Sequence, residues 1–101
     1  MFLLTTLEAD ADGAAFARTL VDEKLAACVS VLPAMTSVYR WKGSIEEARE
    51  QQLLIKTTAG RIADLQERFR TLHPYELPEF VVLRPVDVAQ MYGAWVVESV
   101  M

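Results

Sequence analysis

Three short apolar runs constrain this chain more than any other feature: Phe2-Leu3-Leu4, Leu53-Leu54-Ile55 and Phe80-Val81-Val82-Leu83. Successive side chains of a strand point to opposite sides of the sheet, so a strand with one wet face alternates apolar and polar residues. These runs do not alternate. The sheet they build is therefore expected to be covered on both faces. None of them approaches the roughly 20 apolar residues of a membrane helix.

Between the runs the periodicity changes. Phe2 to Thr6 reads as the first strand, and Asp10, Asp12 and Gly13 break it and suit a helix cap. Ala14 to Leu25 is helical, with Phe16, Ala17, Leu20 and Val21 inward and Arg18, Asp22 and Glu23 outward. Ala26 to Trp41, rich in Val, Ser, Thr and aromatics, reads as one long strand. Pro33 has no N–H for the ladder and must mark an edge, a bend or a bulge in it. Lys42-Gly43-Ser44 is the turn, and Ile45 to Thr58 is the returning strand. Gly60 opens a helix carrying Ile62, Leu65, Phe69 and Leu72 at helical spacing, which His73-Pro74 ends. Phe80 to Leu83 is the fourth strand. Asp87 starts a third helix, with Gln90 at capping-box spacing and Val88, Met91 and Trp95 along one face. The order β-α-β-β-α-β plus a helix predicts an α+β fold: a ferredoxin-like split βαβ sandwich in a single domain, residues 1–101, with a C-terminal helix.

Two helices cover only one face of such a sheet. A hairpin strand of about 14 residues also spans roughly 45 Å, whereas a helix of about 12 residues spans roughly 18 Å. The hairpin must overhang its own helices, carrying Val38, Tyr39 and Trp41 at its far end. A closed homo-oligomer is the expected remedy.

The hydrophobic fraction of 52% excludes disorder. The net charge of −4 and the scatter of the ten Lys and Arg residues argue against nucleic acid and against an anionic membrane surface as partners. One cysteine, Cys28, permits no intrachain disulfide, and the first residues lack a signal-peptide pattern, so the expected compartment is the cytoplasm.

Few residues invite chemistry. Cys28 shares its strand face with Ala26 and Ser30, which leaves room for a metal-binding thiol, although a small packed residue is the usual reading. His73, the only histidine, ends a helix, where the dipole favours its protonated form. It reads as a helix-capping residue or as a copper or zinc ligand beside Glu76 or Glu79. No C-x-x-C or H-E-x-x-H spacing supports a metal motif. Lys56 interrupts an apolar strand and is expected to pair with Glu50 or Glu79. A Cys–His nucleophile lacks a third orienting group and the four glycines form no phosphate loop, so the chain is not expected to be an enzyme.

Four blocks then stand in register: Leu25-Ala26-Ala27-Cys28-Val29, Ser37-Val38-Tyr39-Arg40-Trp41-Lys42-Gly43, Leu54-Ile55-Lys56-Thr57 and His73-Pro74-Tyr75-Glu76-Leu77-Pro78-Glu79. Together with Tyr92 and Trp95 they resemble the CutA divalent-cation-tolerance proteins over nearly the whole chain. The resemblance implies a tight homotrimer whose hairpins pair between subunits, with an architecture similar to the PII signalling proteins. It implies a role in tolerance of copper and other divalent ions, without enzymatic activity. It places Cys28, Tyr39, Trp41, Lys56, His73, Tyr75, Glu76 and Glu79 around an intersubunit cleft, within which His73 is the first candidate metal ligand and Cys28 the second. Some members for which copper ligands are proposed carry a cysteine and a second histidine where this chain has Thr5 and Leu72, so two soft ligands are missing here. The alternative is a PII-like trimer that senses a small ligand or a protein partner through Tyr39, Trp41 and Lys56, or a scaffold without a ligand.

Overall fold

The first strand, β1 (Phe2–Glu8), sets the polarity of the molecule: Leu3, Thr5 and Leu7 are buried on one side, while Phe2, Leu4 and Thr6 are only half-buried on the other. The computed structural model describes residues 1–101. Helix α1 (Gly13–Asp22) follows, its first turn capped by Asp12, whose Oδ1 accepts from the Ala15 N–H at 2.9 Å. Lys24 in the left-handed region (φ 58°) turns the chain out of the helix.

The strand expected from Ala26 to Trp41 is divided. β2 (Cys28–Val31) pairs with Leu53–Lys56, and β3 (Met35–Trp41) pairs with Ser44–Glu50, both along the single long strand β4 (Ser44–Lys56). The break is Leu32-Pro33-Ala34, where proline has no N–H to give the ladder. Lys42 (φ 50°) and Gly43 (φ 84°) form the hairpin turn, two consecutive left-handed residues whose twist matches that of the strands. A 3₁₀ turn leads into α2 (Ile62–Leu72); β5 (Val81–Leu83) and α3 (Gln90–Ser99) complete the chain. The main sheet is antiparallel in the order β2-β4-β1-β5, and β3 extends it along β4.

In the register Leu3 faces Ile55 and Thr5 faces Leu53, so these share one face. Phe16 and Leu20 of α1 and Leu65 and Phe69 of α2 pack on that face with Leu3, Leu7, Leu53 and Ile55. Both helices thus cover the same side, as the split βαβ arrangement requires. The other face carries Phe2, Leu4, Leu54, Lys56, Cys28, Ser30, Val81 and Leu83, none of them buried.

Helix α3 departs from expectation. It begins at Gln90, because Asp87 Oδ1 accepts from the adjacent Val88 N–H and not from the helix, and Ala89 supplies no side-chain cap. Its buried stripe is Val96 and Val100 against Ala27, held by Arg61 Nε donating to the Val100 carbonyl at 3.0 Å. Val88, Met91 and Trp95, the apolar face picked out by their spacing, lie exposed.

The chain has a surface of 6598 Å², against about 5,700 Å² for a compact monomer of this mass. The excess follows its elongation, 45 × 28 × 23 Å. Beyond the body, Val38 and Ile45 of the β3–β4 hairpin are 61% and 62% exposed.

Candidate functional site

β5 pairs only with Phe2–Leu4, so beyond Leu4 the edge of β1 has no neighbouring strand on that side. The segment after α2 takes that place. His73 enters the helix-covered side, between the rings of Phe16 (centroids 5.6 Å apart), Phe69 (5.4 Å) and Tyr75 (5.0 Å). Its Nδ1 accepts from the Tyr75 backbone N–H at 3.1 Å. Its Nε2 must then carry the hydrogen, which it directs at the Thr6 carbonyl at 2.9 Å, with Thr5 Oγ1 at 3.1 Å. The Thr6 carbonyl can only accept, which fixes the same tautomer independently. Burial holds the imidazole below its ordinary pKa, partly opposed by the Thr6 carbonyl. This reverses the expectation of a protonated histidine: desolvation outweighs the helix end. Thr5 is a hydrogen-bond neighbour of the imidazole.

The chain next crosses to the open side. Tyr75 donates its O–H to Glu50 Oε2 at 2.7 Å. Burial foremost, then that bond, then the negative charges of Glu50 and Glu8, push the phenol above its ordinary pKa. Gln52 Nε2 bridges the Thr5 carbonyl (2.6 Å) and Glu79 Oε2 (2.8 Å), fixing the far end of the segment. A groove of about 520 Å³ lies between this segment and the hairpin. Tyr39 and Trp41 form its hairpin wall; Tyr75, Glu76, Leu77, Pro78 and Glu79 form the other; Thr6, Glu8, Ala48 and Glu50 lie between. Four carboxylates face it, and no Lys, Arg or His lines it.

Of the residues singled out by sequence, Tyr39, Trp41, Tyr75, Glu76 and Glu79 come together in this groove. Three do not. Lys56 and Cys28 are register partners at the opposite end of the open face, beside Phe2. The expected ion pair of Lys56 is absent: Glu50 is engaged by Tyr75 and Glu79 by Gln52. Lys56 borders a separate pocket of about 180 Å³ under α3, with Phe2, Tyr92 and Val96. Cys28 faces the open side whereas His73 lies among the core aromatics, so the sheet stands between them. Both ring nitrogens of His73 are already bonded, and no three His, Cys, Asp or Glu side chains converge to hold a metal ion. Glu8 and Gln52, absent from the sequence-based set, join the site through the β1–β4 register; the adjacent amides Gln51-Gln52 directly before the apolar run Leu53-Leu54-Ile55 were the available signal.

A model of the CutA1 divalent ion tolerance protein family matches residues 1–99. A divalent-cation tolerance protein CutA of Thermus thermophilus is 40% identical over 97 residues, 96% of this chain and 94% of that protein. The human Protein CutA is 43% identical over 81 residues, 79% of this chain. The chain spans about half the length of the frog, mouse and human relatives. Among solved structures, the Thermus thermophilus protein superposes with a TM-score of 0.91, covering 98% of both chains at 40% identity. The PII-like protein CutA from Nostoc sp. PCC 7120, in apo form, does so with 0.91 at 35% identity, covering 99% and 96%. With its antiparallel sheet, paired helices and overhanging hairpin matched over almost its whole length, the chain belongs to the CutA1 divalent ion tolerance protein family.

Proposed function

We propose that the chain assembles as a homotrimer of PII-like architecture and serves divalent-cation tolerance by binding divalent metal ions in its groove, which a neighbouring subunit completes. The carrying observation is the groove itself, with four carboxylates and no cation in its walls, beside a hairpin whose apolar side chains are uncovered. Because no three ligand-type side chains of one chain converge, an ion there takes further ligands from water or a second subunit. Oxygen donors accept many divalent ions, and copper(II) leads the first-row series in affinity. Copper binding is nevertheless weak on this reading, since His73 and Cys28 do not contribute. The function is binding and not catalysis.

Calorimetric titration of copper(II), zinc(II) and magnesium(II) tests it. Copper is expected to bind tightest, and Glu76→Gln with Glu79→Gln to weaken it by at least about tenfold, with His73→Gln close to wild type. Unchanged affinity in the carboxylate variant, or loss confined to His73→Gln, overturns it. The aromatic wall of Tyr39 and Trp41 favours a second reading, a small organic ligand of a PII-like sensor. A metabolite that raises the melting temperature of wild type but not of Trp41→Ala identifies that case.

A further inference from the structure

We propose that the groove between the hairpin and residues 75–79 binds a linear alkyl diammonium ion, its two ammonium ends on the carboxylates and its methylene chain against Tyr39 and Trp41. The inference names the ligand class of the organic-ligand reading above and rests on that reading.

Tyr39 and Trp41 stand two apart in β3, so both rings leave the same face of the hairpin. Ala48 and Glu50 of β4 lie on that face too, opposite Ser37 and Met35. With Leu77 and Pro78 across from them, the rings bound a cavity of about 520 Å³, the size of a small-molecule site. An aromatic face attracts a cation, and indole does so most strongly. The chain already seats an ammonium in this way: Lys42 Nζ stands 5.6 Å from the centroid of the Trp41 ring.

The charge of the cavity has no counterpart in the chain. Glu8 and Glu50 are register partners across β1 and β4, and like charges so placed repel. The ion pairs of the chain, Arg61–Asp64, Arg68–Glu23 and Arg70–Glu67, all lie outside this groove. Tyr75 engages Oε2 of Glu50 and Gln52 engages Oε2 of Glu79, which leaves both Oε1 atoms free to accept. Glu8 and Glu50 belong to the sheet, Glu76 and Glu79 to the facing segment, so the acids form two groups. A diammonium ion answers both groups with charge-assisted hydrogen bonds. Its methylenes meet the rings and the apolar Ala48, Leu77 and Pro78, which a bare ion leaves uncovered.

Calorimetric titration of the assembled wild-type protein with putrescine, butylamine and butanediol tests it at about pH 7, where both amines are protonated. Putrescine is expected to bind at least about tenfold tighter than butylamine, and butanediol not to bind. In nuclear magnetic resonance the methylene protons of putrescine should move upfield on binding, as protons over an aromatic face do. Tyr39→Leu with Trp41→Leu should abolish that movement and weaken putrescine by at least about threefold. Tyr39→Phe with Trp41→Phe, which keeps two ring faces, should restore it. Glu8→Gln, at an exposed strand end, should weaken putrescine by about threefold. Butylamine or butanediol that binds as well as putrescine overturns the inference, and so do methylene resonances that do not move upfield in wild type. Metal ions that bind where putrescine does not overturn this inference and leave the metal-ion reading standing. Putrescine that binds where no metal ion does supports it and removes the metal-ion reading.

Discussion

Gln51 is the one amide on the buried face of β4, and its Nε2 donates to both the Glu8 carbonyl (3.0 Å) and the Ala11 carbonyl (2.8 Å). It closes the turn between β1 and α1. Gln51→Leu removes the second bond that each carbonyl accepts, the first coming from the Ala11 and Gly13 N–H groups at 3.0 Å, and is expected to cost about 1 kcal/mol, read by urea unfolding. Gly13 lies against the same side chain: an added Cβ would overlap the Gln51 amide and approach Val31 Cγ1 to 3.1 Å. Gly13→Ala should therefore destabilise the wild type and do so less in Gln51→Ala, a coupling of about 1 kcal/mol in a double-mutant cycle. The stability contributed by His73 has a definite sign with pH. Its folded pKa lies below the ordinary 6.5, so the unfolded chain takes up the proton first as the solution is acidified. The contribution is complete above about pH 6.5 and is lost as the pH falls through the lower folded value. Between about pH 6.5 and that lower value, unfolding free energy against pH should slope more steeply in wild type than in His73→Gln. Tyr39, Trp41, Tyr75, Glu76 and Glu79 of the groove were legible in the family-like blocks, whereas Glu8 and Glu50 lie outside them. The neutral state of His73 was not, because its tautomer is fixed by a carbonyl 67 residues away.

At the scale of elements, β4 explains much of what sequence pattern did and did not reveal. Its inward residues Gln51, Leu53 and Ile55 and its partly open neighbours Gln52, Leu54 and Lys56 alternate in burial, although the run Leu53-Leu54-Ile55 does not alternate in polarity. The mismatch was readable as a covered second face. Pro33 signalled an edge, a bend or a bulge within one long strand; that it divides the strand, so that β4 serves two partners in turn, depends on pairing with residues distant in sequence. The hairpin turn was legible in Lys42-Gly43 because few residues tolerate its backbone. Gly43→Ala meets no atom within 4 Å, yet is expected to cost about 1 kcal/mol from the left-handed backbone alone. Thermal unfolding checks this. For α3 the apolar residues surround the helix, so no periodicity could choose Val96 and Val100 as the buried pair.

For the whole molecule, the surplus of surface and the overhanging hairpin point to association. Val38→Lys with Ile45→Lys should leave the circular dichroism of the body unchanged, because both residues are exposed in the single chain. The same pair should shift the mass measured by light scattering toward one chain. A mass that does not change would place the contact elsewhere. The groove adds a consequence. One bank, Tyr39 and Trp41, belongs to the projecting arm; the other, Tyr75 to Glu79, belongs to the body. Whatever steadies the arm also sets the spacing of the two banks. Self-association and occupancy are then thermodynamically linked, each raising the affinity of the other by the same factor, and an occupant should appear to bind more weakly as the protein is diluted.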